Sequence, residues 1–393
     1  MHEIPTSSLT YDDFSLVINA MDPVSAKAFQ CIMRKNETDW MQIFQLPVDA
    51  LMESYGFSQK AAKRIINWNS HFNVREERER MAQFGARFIP WKSEFYPNGL
   101  LEIDDGPIGI YVSGDIAPKE KSISIVGSRQ CTFYGEKLAN ELAYELARSG
   151  FTIVSGLAIG VDMAAHLGAL RAGGKTVAIL PGGIDYIYPS KNRELYGKIR
   201  ECGTLISELK FGKMVEKWSF SRRNRIIAAL SAVTVVIETS TTGGSMITAN
   251  MARKQGRIVA AIPGMVDQQM SSGCHQLIRE GAILIRGAED IIALMGGSPK
   301  KRNKQMEMPF SDGSVPAKKS IPTPSGLNEV EEKIWNALCA YGAQGIDEIA
   351  ARISLSPIEC AQMIQSMVIR GYVKRDCAGI ISPSGFCEND KVF

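Results

Sequence analysis

Polar and cationic side chains recur in this chain wherever a short apolar run gives out at a glycine or a small residue. Gly127-Ser128-Arg129 follows Ile123 to Val126, Ser155-Gly156 follows Phe151 to Val154, and Pro181-Gly182-Gly183 follows Lys175 to Leu180. Glu238-Thr239-Ser240 follows Ala232 to Ile237, with Thr241-Thr242-Gly243-Gly244-Ser245 directly after it, and Pro263-Gly264 follows Arg257 to Ile262. Two further segments concentrate cations beside an aromatic ring: Tyr188-Pro189-Ser190-Lys191-Asn192-Arg193 and Phe220-Ser221-Arg222-Arg223-Asn224-Arg225. Guanidinium forks, small hydroxyls and glycine turns that leave backbone N–H groups uncovered are the chemistry of phosphate recognition. A ring next to cations adds a stacking surface suited to unpaired bases.

Each of these groups also has a structural reading. Arg129 either forks onto a phosphate or pairs with a carboxylate such as Asp162 or Glu208. The Arg222 to Arg225 run is expected at the start of a helix over Ile226 to Leu230, where the like-signed helix dipole disfavours cations unless an anion or carboxylates offset them. Arg223 or Arg225 is equally suited to be an internal partner of Glu208 or Glu238. Thr241 to Ser245 either takes a phosphate on its N–H groups or is simply a good helix start.

Several chemistries are excluded. The glycines of Ser155 to Asp162 do not follow the Gly-x-Gly-x-x-Gly dinucleotide pattern, and no Gly-x-x-x-x-Gly-Lys-Ser/Thr run exists, so neither a nicotinamide or flavin cofactor nor a P-loop nucleotide is indicated. The eight cysteines form no Cys-x-x-Cys pair, and with four histidines no cluster at metal spacing arises. We expect no cofactor and no metal. A net charge of +3 is too slight for adhesion to polyanions through bulk charge, so nucleic-acid binding must come from a local patch. No apolar run approaches a membrane span and Met1 to Thr10 lacks a signal pattern, so no membrane association and a cytoplasmic location are expected.

The elements that position these groups follow from the apolar runs, which have strand length, lack clean alternation and are separated by helical segments. The expectation is an α/β fold, a Rossmann-like, doubly wound and mostly parallel sheet whose post-strand loops gather at one edge and make a basic, glycine-rich crevice. The main domain is placed at 79–297, with residues 79–114 as an extension whose two short strands cover or lengthen the sheet. Residues 1–78 read as a small helical domain. Within it Leu51 to Ile66, with a turn at Gly56 and cations Lys60, Lys63 and Arg64, is either a helix-hairpin-helix phosphate clamp or a plain packing module. Residues 298–326 are rich in proline and lysine and read as a flexible linker. Residues 327–393 read as three helices and a hairpin, a winged helix. Its third helix, with Ile358, Gln362 and Gln365 and only Arg370 as a cation, suits protein docking better than DNA reading.

The ordered series Gly127-Ser128-Arg129, Ser155-Gly156-Leu157-Ala158, Gly160-Val161-Asp162, Ala165-His166, Tyr188-Pro189 with Asn192, Ser207-Glu208, Phe220, Arg223 to Ile227, Gly244-Ser245, Pro263-Gly264, and Leu277-Ile278 with Gly281-Ala282 resembles the DNA-processing protein A family, also called Smf. The resemblance implies a protein that is not an enzyme. It would bind single-stranded DNA, form a homodimer, and load the RecA recombinase onto incoming strands in natural transformation, or competence. It also implies a DNA site at Ser128, Arg129, Ser155, Gly156, Lys191, Asn192, Arg193, Asn224, Gly244 and Ser245, to which we add Gly127 of the same turn as Ser128. Arg222, Arg223 and Arg225 join that set from the charge pattern. Pro181-Gly182-Gly183 departs from the family turn and is similar to the lysine-decarboxylase-like hydrolases. An alternative is therefore a nucleoside-monophosphate phosphoribohydrolase with Glu208 or Glu238 at the reacting centre.

Overall fold

The computed structural model describes residues 9–21, 28–29, 31–32, 40–116, 119–296, 324, 326–341, 345–353, 355–375 and 381–383. The chain divides into two compact units, Met1–Lys301 and Arg302–Phe393.

The first unit is built on a nine-stranded sheet: β1 (Arg87–Pro90), β2 (Gly109–Ser113), β3 (Ser122–Gly127), β4 (Thr152–Ser155), β5 (Thr176–Leu180), β6 (Thr204–Ser207), β7 (Val233–Ile237), β8 (Ile258–Ala261) and β9 (Ile283–Leu284). Their order across the sheet is β1-β2-β6-β5-β4-β3-β7-β8-β9. All neighbours from β6 to β9 pair in parallel, while β2 runs antiparallel to both β6 and β1. The five expected strands are present. The segment before residue 115 does lengthen the sheet, as an antiparallel edge hairpin. Strands β6 and β9 were not anticipated, because β6 has only Leu205 and Ile206 between polar residues and β9 is two residues long.

Burial on both faces explains the composition of the central strands: every residue of β4, β5 and β7 is buried. Helices cover both sides: α5 (Phe133–Arg148), α6 (Val161–Arg171), α7 (Arg193–Cys202), α8 (Lys217–Ala229), α9 (Gly244–Lys254), α10 (Ser272–Arg279) and α11 (Ala288–Leu294).

Before them lie α1 (Tyr11–Ala20), α2 (Val48–Tyr55), α3 (Gln59–Ile66) and α4 (Val74–Phe84), with a short 3₁₀ turn at Trp40–Phe44. Much of the stretch from 22 to 39 within the expected helical domain falls outside the described residues. The boundary expected at residue 78 runs inside the first unit, because the helices have no closed core of their own. Phe14, Val17, Leu51 and Ile65 share one apolar cluster with Tyr111, Leu157, Leu180 and Phe211 of the sheet region. Polar ties reinforce this, with Asn19 Nδ2 donating to the Glu208 carbonyl at 2.9 Å and the Phe211 amide donating to Glu77 at 2.9 Å. At the α2–α3 turn, Gly56 takes φ +71°. Its amide and that of Phe57 donate to the carbonyls of Met52 and Leu51, which closes the end of α2 and leaves neither for a phosphate. Ala61, Ala62 and Ile65 are buried, so one face of α3 packs, while Lys60 and Lys63 are exposed on the other.

The second unit holds α12 (Glu329–Tyr341), α13 (Ile346–Ile353) and α14 (Pro357–Ile369), followed by β10 (Val373–Arg375) paired antiparallel with β11 (Ile381–Pro383). Ile334, Trp335, Ile349, Ile364, Met367, Val373 and Ile381 form its core. Three helices and a two-stranded ladder are the expected elements. The hairpin turn and nearly all of the expected linker lie outside the described residues.

Candidate functional site

After the edge hairpin β1–β2, the chain starts the parallel part of the sheet at β3, builds β4, β5 and β6 to one side, and returns to place β7, β8 and β9 on the other. The loops leaving β3 and β7 therefore diverge, and a crevice opens between them at the carboxyl edge, the usual ligand position in such sheets. A cleft of about 660 Å³ lies there, with Gly127, Ser128, Arg129, Lys217, Phe220 and Gly244 among its walls. The Ser128 amide donates to the Glu238 carbonyl at 2.7 Å and the Val161 amide to the Ser128 carbonyl at 3.3 Å, so three loops are tied together at its floor. Gly160 sits at φ +81°, where a Cβ would collide with the Ser128 carbonyl and press on the Arg129 backbone.

Arg129 is exposed. Its guanidinium carbon lies 4.8 Å from the Phe220 ring centroid, and Phe220 packs edge-on against Tyr188 at 5.5 Å. No ion pair engages Arg129 among the described residues, so neither Asp162 nor Glu208 is its partner. The arginines of α8 are placed differently from the expectation. The helix begins at Lys217, where Glu216 and Ser219 form a capping box, so Arg222 to Arg225 lie in its middle and the dipole argument for them falls away. Arg222 donates through Nε and Nη2 to Glu208 at 3.0 and 2.8 Å, and Arg225 Nη2 donates to the same carboxylate at 2.6 Å. Burial would raise the Glu208 carboxyl, but Arg225 and Arg222 outweigh it and hold the pKa below the ordinary value. Arg225 also faces Asp105 at 3.6 Å. Arg223 is buried and donates Nη1 to the carbonyls of Gly156 and Ile179. Burial brings its pKa down to about 10, with Asp162 opposing and Arg129 adding to the shift. One edge of it reaches the cleft wall, beside Asn224.

The loop after β4 is held from beneath. Ser155 is buried and donates Oγ to the Ile125 carbonyl at 2.6 Å. The Gly156 amide donates to Asp162 at 3.0 Å. Burial raises the Asp162 pKa despite the opposing Arg223 charge and the amides of Gly156 and Ala158. Leu157 adopts φ +54°, costly for a branched side chain. Its amide donates to His166 Nε2 at 3.3 Å, and its carbonyl accepts from Asn192 Nδ2 at 2.9 Å. Thr176 Oγ1 donates to the Ile153 carbonyl, so the 2.7 Å contact between His166 Nδ1 and that hydroxyl assigns the proton to Nδ1. Burial and then Arg223 lower the His166 pKa to about 3, leaving a neutral ring.

Of the expected site residues, the cleft thus gathers Gly127, Ser128, Arg129, Arg223, Asn224, Gly244 and Ser245, while Gly156 lines a smaller recess beside Arg129 and Phe220. Ser155 and Asn192 are drawn into the frame that shapes the loop, and Arg222 and Arg225 into the ion cluster on Glu208. Lys191 and Arg193 are exposed, outside the cleft lining. Lys217 was missed: it shares the cleft-facing stripe of α8 with Phe220, Ser221 and Asn224, a spacing that becomes visible only once the helix is known to start four residues before Ser221.

Two helices begin at this edge without a side-chain cap, one covered and one open: the Val161 amide of α6 is taken by the Ser128 carbonyl and the turn is buried, whereas the start of α9 is exposed. The N-cap residues of α6 and α9 are Gly160 and Gly243, and neither supplies a side-chain cap, whereas α5 is capped by Thr132. Gly244 is exposed with open space around its Cα. Amides of such first turns are donors without intrahelical partners. The Ser245 hydroxyl is turned back onto Thr239 Oγ1 at 2.7 Å. Among the described residues no group of three metal-ligating side chains converges, and no helix is long and apolar enough to cross a membrane.

The family model described as DNA recombination-mediator protein A matches residues 87–296. Among curated proteins, the DNA processing protein DprA of Bacillus subtilis (strain 168) is 38% identical over 228 residues, covering 58% of this chain and 75% of that protein. The DprA of Streptococcus pneumoniae is 40% identical over 199 residues, 50% of this chain and 70% of that one. Protein Smf of Synechocystis is 36% identical over 255 residues, 64% of each, so the match spans just under two thirds of that relative's length. The X-ray structure of DNA processing protein A from Streptococcus pneumoniae superposes with a TM-score of 0.62 at 28% identity, covering 72% of this chain and 98% of that one.

Proposed function

The chain belongs to the DNA recombination-mediator protein A family, and from that premise we propose that it binds single-stranded DNA in the cleft between the β3 and β7 loops. In this reading it acts without catalysis as a homodimer in the cytoplasm, protecting incoming strands and loading the RecA recombinase in natural transformation and recombination. The Bacillus and Streptococcus relatives are named DNA processing proteins, which supports a role on DNA.

One observation carries the reading: Arg129, exposed and without a carboxylate partner, lies on the face of Phe220 at the mouth of a cleft flanked by two helix N-termini that lack side-chain caps. A phosphate has the guanidinium and free amides to accept from, and a base has a ring beside it. Lys217 and Asn224 extend the polar wall on one side, and Ser128 with Gly244 on the other. Little base selectivity follows from such contacts, because they read phosphate charge and π-faces instead of base edges.

The hydrolase alternative loses its acid. Glu208 is neutralised by two guanidiniums. Glu238, at φ +46°, accepts from the Thr132 amide at 2.7 Å and from the Thr132 hydroxyl at 2.5 Å, serving the start of α5.

The test is fluorescence anisotropy with a labelled single-stranded oligonucleotide against a duplex of equal length over a salt series. The expected result is tighter binding of the single strand, with affinity falling steeply as salt rises. Equal affinity for both, or binding indifferent to salt, would overturn the reading.

A further inference from the structure

Lys217 and Phe220 line the cleft, but Trp218, between them in the first turn of α8, is outside its lining. It is 37% exposed, the most exposed of the chain's five tryptophans. Its edge is fixed: Nε1 donates to Glu216 at 2.6 Å, and the same carboxylate pairs with Lys213. Two cations stand near the ring without closing on it. Lys213 Nζ is 5.7 Å and the Arg222 guanidinium carbon 5.6 Å from its centroid, whereas Arg200 closes on Phe84 at 4.0 Å. An indole oriented in water beside cations offers a π-face for a base and positive charge for the phosphate attached to it.

On the far side of Trp218 from the cleft, the loop between β6 and α8 is pinned to two supports. The Phe211 amide donates to Glu77 of α4, the Gly212 amide to Asp185 at 2.9 and 3.1 Å, and the Lys213 carbonyl accepts from the Gly183 amide at 2.8 Å. This sets Lys210 and Lys213 beside the cations of α3 and α4. Arg80 Nη1 stands 3.4 Å from where a Cβ would sit on Gly212. Burial lowers the Lys210 pKa, Glu77 opposes the shift, and Arg64, Lys213 and Arg80 add to it, so the four cations share one field. Surface carboxylates offset part of that field, Glu76 on Arg80 and Glu216 on Lys213. Lys210 and Lys217 have no ion pair among the described residues. We propose that a single strand longer than the cleft leaves it over the first turn of α8, stacks a base on Trp218, and lays its backbone on the cations of the β6–α8 loop, α4 and α3. The inference rests on the cleft reading and carries that site onto the helical part of the unit. Continuity names the occupant: a chain held at Lys217 and Phe220 meets Trp218 next, and there ring and cation recur in the pairing that Phe220 and Arg129 make. The exposed Lys60 and Lys63 of α3 then lie further along the same polyanion.

Binding of the full chain to a length series of oligo-dT, from about 4 to about 16 nucleotides, tests it by anisotropy with labelled strands and by tryptophan emission with unlabelled ones. Trp218→Ala should bind the shortest strands as the wild type does and the longest at least about tenfold more weakly, about 1.4 kcal/mol. Trp218→Phe should restore that affinity, since a phenyl ring also stacks. Long strands should quench wild-type emission, and the quench should be missing in Trp218→Phe. Lys210→Gln with Lys213→Gln, which leaves the indole in place, should weaken the long strands alone and flatten their salt slope by about one to two units. If Trp218→Ala and the lysine pair bind every length as the wild type does, while Arg129→Ala is weaker at all of them, the extension is overturned and the cleft stands. If Trp218→Ala loses short and long strands equally, the indole serves the cleft and the extension is again overturned. Should the wild type bind no strand of any length, both readings fall.

Discussion

The turn after β3 and the middle of α8 bring four arginines into one neighbourhood and put them to opposite uses. Arg222 and Arg225 share the carboxylate of Glu208, and Arg223 spends its donors on the carbonyls of Gly156 and Ile179. Among the described residues Arg129 has only the face of Phe220. Both segments look alike in the sequence, as cations beside small residues. What separates them is burial: Glu208 is 6% exposed and Arg225 also 6%, so their charges had to be compensated inside the protein. Arg129, left in water, needed no such partner. A dense cation run on a core-facing helix is therefore framework, and the lone cation on a turn is the one free to meet an anion.

The largest effect should come from breaking the framework. In Glu208→Ala, two guanidiniums lose their shared anion while one stays buried, a defect worth about 3–5 kcal/mol of unfolding free energy, read as a lower denaturant midpoint. Acid titration separates this group from the buried His166. His166 titrates at about 3 when folded against 6.5 for a free ring, so the unfolded chain binds the extra proton and stability falls as pH drops below 6.5. Glu208 has a lowered carboxyl, so its contribution is intact above the ordinary carboxylate range and disappears as pH falls through the depressed value. The variant should keep the first decline and lose the second. An unchanged acid limb would show that Glu208 is not the anion on which the cluster depends.

That outcome also bears on how much could be read beforehand. Five strands were legible because a strand buried on both faces leaves a continuous apolar run, and the crevice was legible because small residues and glycines end those runs. Strand β6 was not, since Thr204 to Ser207 offers only two aliphatic residues. The start of α8 was misplaced because its cap, Glu216 with Ser219, is a reversed form of the usual Ser/Thr-then-Glu box. From that one error came the wrong position for the arginines and the omission of Lys217. The pairing of Arg225 with Glu208 was an open alternative, but no spacing rule chooses among carboxylates brought together by a fold. Asn192 was legible as important and illegible as a clamp, because its partner is the carbonyl of a strained Leu157, a backbone feature that side-chain types do not reveal.

Arg129→Ala inverts the first prediction. With no ion pair to lose, the folded state should change by less than about 0.5 kcal/mol, while single-strand affinity drops about tenfold or more and the salt slope flattens by about one unit. Loss of stability together with unchanged binding would move Arg129 into the same class as Arg225 and erase the contrast between the two segments.

The smallest effect belongs to Lys191 and Arg193, and it sharpens the contrast instead of breaking it. Both are exposed at the start of α7, next to the buried Asn192 but outside the cleft lining. Their charges reach a bound strand only through solvent, where screening at physiological salt acts within about 8 Å. Lys191→Ala and Arg193→Ala should each weaken binding about twofold at low salt, and the difference should vanish as salt rises, because a screened charge adds no contact. A tenfold loss that persists at high salt would instead place these side chains directly on the phosphates. The strand's path would then run over the β5 side of the sheet edge as well as the β3 to β7 crevice, and solvent-exposed rim cations would have to be counted with Arg129.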